Sequence, residues 1–531
     1  MSIIHNLSEG ILLNSEQLSF VDLVTKGDSC CLIGAAGTGK TTAVRAAITS
    51  LLQSGRVSRM TETTGNRHNP KLLEGLAGVC GLAFTRRASS NLRANFPEGL
   101  QPHCLTIHAL LEYEPVKTVK ILESGMAQET IIFEPKRNKK NPLPSTLQTI
   151  VIDESSMVGT ELFTNLMNAL PHPVQFIFLG DLNQLAPVFG DAVLGYKLLT
   201  LPVIELTTVY RQALESPIIS FAHKILQGKQ ILLPELEKDW KLIDNGEHGK
   251  LEIKRFVPRT DEHSAESVSV QYLKSRYLAG EYNPNSDLVL IPFNIKFGTI
   301  AVSEGIANFL DEISDTFPME IVAGWKKKYF KVGDQVLYKN DEYVISKINK
   351  NGLYRGTPAR EGRFNRAGRA LDGVSFSEES IEASLANMGN PNLIDNDDEE
   401  VANAASHVIY LSRDPGDGEL EPATDISSRG AINYLTLNYA TTAHKAQGLE
   451  ADRVFILLHK SHARMVSREW LYTAVTRAKH SLTILCENTT FVTGINNQQI
   501  KGKTLAEKAE FFKGKVKERQ TGQQKFLLGG K

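Results

Sequence analysis

The sequence has few cysteines and no excess of charge of either sign. Its five cysteines, at positions 30, 31, 80, 104 and 486 of 531, are an odd number without a C-x-x-C pair. This pattern excludes a disulfide framework and a cysteine-based zinc module, and it favours the reducing cytoplasm. With 59 Lys+Arg against 60 Asp+Glu, the net charge of −1 excludes a chain-wide basic surface for nucleic acid.

Long apolar runs are absent as well. Nowhere do about 18 apolar residues follow one another, and the start, MSIIHNLSEGILLNSEQ, has no basic segment ahead of an apolar one. We therefore expect neither secretion nor membrane spanning. A hydrophobic fraction of 41% and a charged fraction of 22% are typical of globular proteins, and the length suggests three or four domains of roughly 150 residues each.

Charge is concentrated in a few short segments. Basic residues cluster at 136–140, 326–328 and 501–531, and the stretch 376–406 has eight acidic residues without Lys or Arg. A solvated surface is the ordinary interpretation of each segment. Two alternatives stay open: the acidic segment competes with a polyanion for a basic groove, or the C-terminal residues bind DNA or a replisome partner.

Short β-branched runs alternate with helical stretches through much of the chain. Thr149–Ile152 and Val174–Leu179 are such runs, and each ends in polar residues or glycine. This alternation predicts an α/β fold with buried parallel sheets. It is interrupted at residues 113–141, where the sequence predicts a hairpin, and after residue 332, where strand-forming segments predict a small inserted β domain.

A phosphate-binding motif follows the apolar strand Cys30–Ile33. The motif G-x-x-x-x-G-K-[ST] needs glycines that turn backbone amides toward phosphate, and a helix whose positive end adds to the site. Lys40 is predicted to reach the β- and γ-phosphate oxygens, and Thr41 to contact Mg²⁺. The predicted ATP-binding residues here are Gly34, Ala35, Ala36, Gly37, Thr38, Gly39, Lys40, Thr41 and Thr42.

Polar residues at the ends of later strands complete the predicted chemistry. Asp153 would hold Mg²⁺, and Glu154 would act as the base on an attacking water. Gln184, after a second strand, could sense the γ-phosphate. Arg211 and Arg477 could stabilise charge that develops on the phosphoryl group, although a surface arginine is the alternative for each.

Seven segments occur in an order that resembles superfamily 1 DNA helicases. They are Gln17, GAAGTGKTT, DESSM, GDLNQLAPV, YRQ, HKAQG and YTAVTRAK. HKAQG and GDLNQLAPV look like the 5′→3′ branch, which includes the RecD-like enzymes and the Dda-type enzymes of T-even phages. The resemblance extends over about nine-tenths of the chain, although residues 340–430 match no motif.

The resemblance implies two RecA-like P-loop domains with parallel sheets that enclose ATP. Domain 1 would span residues 1–214, with 113–141 as an inserted β-hairpin called the pin. Domain 2 would combine residues 215–330 and 430–498. Residues 331–429 would form an inserted small Src-homology-3-like β-barrel with the acidic segment, and 499–531 a basic C-terminal tail.

The resemblance also implies roles at the nucleotide and the DNA. Gln17 resembles the glutamine that reads adenine, Arg211 and Arg477 match arginine fingers, and Gly448 and Glu450 lie in the motif that links nucleotide to DNA. Phe133 resembles the aromatic residue of the pin that stacks on a base, with packing inside the hairpin as the alternative. The other implied DNA contacts are Thr85, Arg86, Thr106, His108, Asn294, Thr442 and His444.

The implied activity is ATP-dependent, Mg²⁺-dependent 5′→3′ helicase activity in DNA replication, recombination or repair. Expected partners are single-stranded DNA and single-strand/duplex junctions, with single-strand-binding protein or replisome components as further candidates. We expect a monomer in the cytoplasm, that of the host if a phage encodes it. The competing interpretation is an ATP-regulated DNA-binding motor subunit of a recombination or nuclease complex that needs partners to unwind. RNA stays open as a substrate.

Overall fold

A computed structural model describes most of the chain. The described residues are 12–61, 65–66, 69–70, 72–121, 127–187, 191–209, 215–228, 240–255, 265–295, 297–323, 326–338, 341–351, 363–364, 370–371, 380–387, 406–410 and 435–528. Among these residues, no helix combines the length and the apolarity that crossing a bilayer requires.

The first part of the chain forms an α/β domain around a six-stranded parallel sheet. The strand order is β10-β1-β9-β8-β4-β5, which confirms the predicted parallel sheet. The elements are α1 (Ser15–Lys26), β1 (Cys30–Gly34), α2 (Lys40–Gln53), β2 (Gly65–Asn66), β3 (Asn69–Pro70), β4 (Val79–Ala83), α3 (Arg86–Asn95), β5 (Cys104–Thr106), α4 (Ile107–Leu110), β6 (Tyr113–Ile121), β7 (Ala127–Pro135), β8 (Thr149–Ile152), α5 (Thr160–Ala169), β9 (Gln175–Gly180), α6 (Val193–Lys197) and β10 (Val203–Leu206).

Strand β1 is apolar throughout because helices cover both faces of this sheet. Cys30 and Leu32 lie in one buried cluster with side chains of α1 and α2, whereas Cys31 and Ile33 lie in a second cluster with side chains of α5 and α6. A strand buried on both faces needs no polar alternation. The carboxyl ends of the parallel strands therefore carry the polar loops, and this edge is where we expect a ligand site.

The rest of the chain forms a second α/β domain, an inserted β region and a C-terminal helix. The elements are α7 (Pro217–Leu226), β11 (Trp240–Asp244), β12 (Lys250–Arg255), α8 (Ala265–Leu278), β13 (Leu288–Leu290), α9 (Thr299–Ser314), β14 (Met319–Ala323), β15 (Lys326–Phe330), β16 (Gln335–Tyr338), β17 (Asp341–Asn351), β18 (Arg363–Phe364), β19 (Ala370–Leu371), β20 (Ser380–Asn387), β21 (Ser406–Tyr410), β22 (Leu435–Leu437), β23 (Ala451–Leu458), α10 (Arg468–Val475), β24 (Ala478–Cys486), α11 (Asn488–Asn496) and α12 (Leu505–Leu528).

The second domain contains a sheet of order β11-β12-β24-β23-β13, in which only the edge strand β11 is antiparallel to its neighbour. The inserted region forms an antiparallel sheet of order β21-β20-β17-β16-β22. Strands thus occur where the β insertion was predicted, and its existence and bounds as a domain stay a prediction. Leu435–Leu437, which we assigned to the second α/β domain, pairs with β16 of this sheet.

The predicted hairpin near 113–141 is present. β6 and β7 pair antiparallel over nine positions, from Tyr113 opposite Pro135 to Ile121 opposite Ala127. At its base, Arg137 forms an ion pair of 3.0 Å with Glu112. The backbone amide of Arg137 also donates to the carbonyl of Leu111. These bonds fix the hairpin to the first domain.

The segment after residue 499, predicted as a basic tail, is not solvated along its whole length. Residues 505–528 form helix α12, which returns to the first domain, and Phe512 is only 3% exposed in the cluster that also contains Val193 and Leu194 of α6. A Cβ added to Gly195 would lie 2.2 Å from the Phe512 ring, so a glycine is needed at this contact. Lys, Glu and Gln dominate the helix, and its few apolar residues provide the contact.

Replacing Phe512 by alanine should loosen α12 from the first domain. The substitution removes a buried aromatic ring and leaves a cavity, which costs about 3 kcal/mol in the free energy of unfolding. Denaturant unfolding measures the loss, and protease cleavage within 505–528 should become faster. Phe133→Ala is the matched control, since an exposed ring contributes less than about 0.5 kcal/mol. Equal effects of the two substitutions would contradict the buried position of Phe512.

Candidate nucleotide site and domain interface

The loop between β1 and α2 has the backbone shape that a bound phosphate needs. Gly37 and Gly39 both have φ of 79°, a region that residues with side chains rarely adopt. Helix α2 begins at Lys40 directly after Gly39, which has no side chain to cap the helix. The amides of the first turn, with the positive end of the helix dipole, are therefore available to an anion.

Lys40 lies over this loop. Its Nζ donates hydrogen bonds of 2.6 Å to the carbonyl of Gly34 and 3.1 Å to that of Ala35. Thr38 is buried and donates to the same Ala35 carbonyl at 2.9 Å. Thr41 is exposed and Thr42 half-buried in the first turn of α2. The ammonium group is thus positioned where phosphate oxygens could replace its carbonyl partners.

Gln17 lies beside the phosphate loop although it comes from α1. Its side chain is 1% exposed, and its Nε2 donates to the carbonyl of Gly39 at 3.2 Å. Its Oε1 accepts a hydrogen bond from the amide of Asn14, which caps the helix. The side chain is therefore fixed at the rim of the nucleotide site, and recognition of a base by it stays a prediction.

Asp153 and Glu154 follow β8, which is separated from β1 by β9. Burial, and next the charge of Glu154, raise the pKa of Asp153 above its usual value, while Lys40 opposes the shift. The amide of Glu154 donates to Asp153 Oδ1 at 2.8 Å. Glu154 has φ of 46°, a strained conformation that is common at functional sites. A cation held between Lys40 and this pair would favour the ionised carboxylates.

The three predicted phosphate-sensing residues differ in their surroundings. Gln184 is 7% exposed, and its Oε1 has no hydrogen-bond partner among the described residues. Arg477 is buried, and its guanidinium donates to the carbonyls of Thr473 at 3.0 Å and Leu449 at 3.2 Å, so the structure holds it within the second domain. Arg211 lies outside the described residues.

Tyr472 joins the two α/β domains at the phosphate loop, and the sequence analysis did not single it out. Its hydroxyl accepts a hydrogen bond from the amide of Ala36 at 2.8 Å and donates to Asp181 Oδ2 at 2.6 Å. Both Tyr472 and Asp181 are fully buried. Both residues lie inside motifs that carry the family resemblance, YTAVTRAK and GDLNQLAPV, and these positions were the only indication of their importance in the sequence.

A second set of contacts surrounds Leu185, which follows Gln184 in the first domain. Its side chain lies in the core cluster of the second domain. Its amide donates to Thr473 Oγ1 at 3.0 Å, and its carbonyl accepts from Gln447 Nε2 at 3.0 Å. The Asp181–Leu185 segment is thus bonded to the second domain at both backbone and side chains.

The contacts that the structure gives for Gly448 and Glu450 lie away from the phosphate loop. The carbonyl of Gly448 accepts from Asn91 of α3 at 2.5 Å, and a Cβ at Gly448 would lie 2.7 Å from that of Ala88. Glu450 is exposed and pairs with Lys479 at 3.5 Å. The motif therefore meets α3 of the first domain, and its predicted role at ATP stays a prediction.

Two predicted DNA contacts lie side by side at the carboxyl edge of the first sheet. Thr85 caps α3 and accepts from the amide of Ala88 at 3.1 Å, and Thr106 caps α4 and accepts from that of Ala109 at 3.0 Å. The strands before them are paired, since Ala83 lies opposite Thr106. The side chain of Arg86 lies outside the described part of the structure.

His108 lies in a row of aromatic rings that leads to the hairpin. Its ring centroid is 5.6 Å from that of Phe84 and 4.9 Å from that of Tyr113, the first residue of β6. Burial lowers the pKa of His108, which favours its neutral imidazole. In that form it can offer hydrogen bonds or ring contacts to a nucleic acid.

Phe133, on β7, is 64% exposed. Such exposure argues against burial of the ring within the hairpin. In the second domain, Asn294 is exposed and accepts from Thr299 Oγ1 at 3.1 Å, while buried Thr442 accepts from the amide of Lys445 at 3.4 Å. His444 is half-buried, and burial lowers its pKa.

Replacing Tyr472 by phenylalanine should destabilise the interface. Removal of the hydroxyl leaves Asp181 Oδ2 and the Ala36 amide without their partner, and unsatisfied buried groups of this kind cost about 2 kcal/mol. Denaturant unfolding measures the change. Tyr282→Phe is a matched control, because the hydroxyl of Tyr282 is buried without a partner among the described residues, and its removal should be neutral or stabilising. Similar losses in both variants would contradict the bridging role.

Two family matches coincide with these two regions. Residues 17–190 match the AAA domain family, and residues 437–485 match the UvrD-like helicase C-terminal domain family. The first match contains the phosphate loop, Asp153, Glu154 and Gln184. The second contains Tyr472 and Arg477. The family matches thus fall on both sides of the interface described above.

Curated relatives align with most of the chain. It is 26% identical over 478 residues to the ATP-dependent RecD2 DNA helicase of Deinococcus radiodurans, covering 88% of this chain and 48% of that protein, so it spans about half of that relative's length. It is 23% identical over 491 residues to the RecBCD enzyme subunit RecD of Buchnera aphidicola, covering 87% of this chain and 71% of that one.

Among solved structures, the Pif1 helicase from Candida albicans aligns with a TM-score of 0.43 at 16% identity, covering 96% of this chain and 100% of that one. Both values are too low to carry an argument. The family matches and curated relatives do not depend on that alignment. Segments of the chain therefore match the AAA domain family and the UvrD-like helicase C-terminal domain family, and most of its length is similar to the RecD2 DNA helicase and the RecD subunit named above.

Proposed function

We propose that the chain is an ATP-dependent DNA helicase that moves 5′→3′ on single-stranded DNA and unwinds duplex. The observation that carries this proposal is the bridge from the Ala36 amide through Tyr472 to Asp181. The nucleotide loop is part of the domain interface, so a ligand that changes the conformation of the loop also changes the contact between the two domains. That coupling is what a translocating motor requires.

The residues present fit ATP with Mg²⁺. The uncapped amides of α2 and the Lys40 ammonium group suit the phosphates, and Thr41 with Asp153 would hold Mg²⁺. Glu154 would orient and deprotonate the attacking water. Gln184, whose Oε1 has no hydrogen-bond partner in the described part of the chain, would respond to the γ-phosphate, and Arg211 and Arg477 would stabilise charge once the domains close. Gln17 would contact the base.

The DNA contacts proposed here form two groups, one on each domain. Thr85, Arg86, Thr106 and His108 belong to the first, and Asn294, Thr442 and His444 to the second. Hydroxyl, amide and imidazole groups grip phosphates and sugars without reading bases. Directional motion requires that the affinities of the two groups for DNA alternate as ATP binds and is hydrolysed. ATP must therefore favour one conformation, because a ligand with equal affinity for both does not shift the equilibrium between them.

The hairpin of β6 and β7 is proposed as the pin that separates the strands, with Phe133 stacking on a base at the junction. The antiparallel sheet of β16, β17, β20, β21 and β22 is proposed as the counterpart of the Src-homology-3-like barrel. An exposed ring on a hairpin fixed to the first domain suits this task, because the domain that moves along the strand carries the wedge with it.

A motor subunit of a larger recombination or nuclease complex is the second candidate. The similarity to a protein named RecBCD enzyme subunit RecD, over 87% of this chain, favours it. In that case unwinding would need protein partners, whereas single-strand-binding protein or replisome components would only assist a lone helicase. The first proposal also includes four further expectations. The chain would be a monomer, lie in the cytoplasm, resemble phage Dda-type enzymes and prefer DNA to RNA.

Two tailed duplexes test the motor and its polarity together. The wild-type chain with excess ATP and Mg²⁺ should displace the strand from a duplex with a 5′ single-stranded tail and not from one with a 3′ tail. Lys40→Ala should reduce displacement roughly 100-fold or more, because a phosphate-binding cation is lost. Displacement from the 3′ tail would refute the polarity, and DNA-stimulated hydrolysis without displacement would favour the partner-dependent subunit.

Phe133→Ala should slow duplex unwinding about 10-fold, since stacking on a base contributes about 1–3 kcal/mol. ATP hydrolysis stimulated by single-stranded DNA should fall far less, because the ring lies outside the nucleotide site. Strand displacement and hydrolysis are measured on the same preparation. Ile132→Ala, at the neighbouring position of β7, is the control. A parallel fall of both rates, or an equal effect at Ile132, would contradict the stacking role.

A further inference from the structure

Lys508 is a buried cation that the proposed mechanism does not use. It lies on α12 and is 6% exposed. Its Nζ donates a hydrogen bond to Asn183 Oδ1, and among the described residues no carboxylate lies within ion-pair distance of it. Burial of an ammonium group without a direct counter-ion costs free energy. A position that keeps such a group therefore calls for an explanation beyond packing.

Asn183 connects Lys508 to the domain interface, because it also bonds Asp181. The Asn183 amide and its Nδ2 both donate to Asp181 Oδ1 at 2.9 Å. Asp181 Oδ2 accepts from Tyr472, whose hydroxyl accepts in turn from the Ala36 amide. Five residues thus form one chain of hydrogen bonds that begins at Lys508 and ends at Ala36 in the phosphate loop.

Helix α12 is anchored on both domains around this point. Glu469 of α10 is buried and accepts from the amides of Gln499 and Ile500, which lead into the helix. Phe512 is buried in the first domain. The helix can therefore hold Lys508 at a defined place against Asn183.

Burial lowers the pKa of Lys508 below its usual value, and Arg468 adds to the lowering. Asp181, Glu469 and Glu205 act in the opposite direction. Asp181 and Glu205 lie on the first domain and Glu469 on α10 of the second. Carboxylates of both domains therefore oppose the loss of the proton from Lys508.

We propose that Lys508 is a positioning residue of the ATP site, which holds Asn183 and thereby keeps the Asp181–Gln184 segment in the place where Gln184 meets the γ-phosphate. The inference rests on the proposed function, because it assigns a role within ATP hydrolysis. It also assigns a role to α12, because this helix places the Lys508 ammonium group against Asn183 of the first domain.

The test compares Lys508→Met and Asn183→Ala, singly and together, in the full chain. We expect each single variant to lower kcat for DNA-stimulated ATP hydrolysis about 10-fold, because misplacement of a phosphate-sensing side chain slows the chemical step. KM for ATP should stay within about twofold, since the phosphate loop and Gln17 are untouched. The double variant should be no slower than the slower single variant, because both remove the same bond.

Two measurements separate positioning from plain stability. The thermal unfolding temperature of Lys508→Met should be unchanged or higher, since a desolvated cation has been removed, whereas a structural role would lower it. Lys513→Met is the matched control, because Lys513 is an exposed lysine of the same helix that pairs only with Glu510 among the described residues. Its kcat should equal that of the wild type.

Three results would overturn the inference while leaving the proposed function intact. These are a kcat for Lys508→Met within twofold of the wild type, additive effects in the double variant, and an equal loss with Lys513→Met. If Lys508→Met proves unstable, Lys508→Gln takes its place, because it removes the ammonium group and leaves both hydrogen bonds from Asn183 to Asp181 unchanged. Absence of ATP hydrolysis by the wild-type chain would refute the proposed function, and this inference with it.

Discussion

The carboxylate of Asp181 is the constraint on which the arrangement of the two domains depends. It is fully buried, and both of its oxygens are occupied, one by Asn183 of its own segment and the other by Tyr472 of the second domain. A buried carboxylate that loses a partner is far more costly than an exposed one. The two domains can therefore separate here only if another donor, or water, replaces the Tyr472 hydroxyl. This requirement makes the interface respond to events at Ala36, one bond away.

The sheet of the first domain explains why the chemistry gathers at this edge. Because helices cover both faces of β1, polar groups can leave the core only where the strands end. The phosphate loop, Asp153 with Glu154, and Asp181 with Gln184 follow three adjacent strands. The strained backbone of Glu154 and the positive φ values of Gly37 and Gly39 occur at the same edge, so part of the conformational cost of the fold lies at the proposed site.

Local patterns predicted the parts of the site that are close in sequence. The phosphate loop, the acidic pair after β8, the hairpin and the parallel sheet could all be found because strand, turn and helix signals act over a few residues. Contacts between the domains could not, since Ala36 and Tyr472 are 436 residues apart and Asn183 and Lys508 are 325 apart. The packing of the C-terminal helix was missed for a related reason. Its basic composition predicts a solvated surface, whereas Phe512 is buried in a cluster of the first domain against which Leu505 and Phe511 also pack.

Helix α3 provides a direct physical route from the domain interface to the proposed DNA surface. Asn91 and Ala88 of this helix contact Gly448 of the second domain, and Thr85 caps its first turn at the edge that also holds Thr106. A helix of ten residues moves as a rigid unit, so a shift of Gly448 displaces Thr85 as well. Phe84 precedes the helix and contacts His108, which in turn contacts Tyr113 at the base of the hairpin. Closure of the domains would therefore change the positions of the proposed DNA contacts and of the β6–β7 hairpin through direct packing.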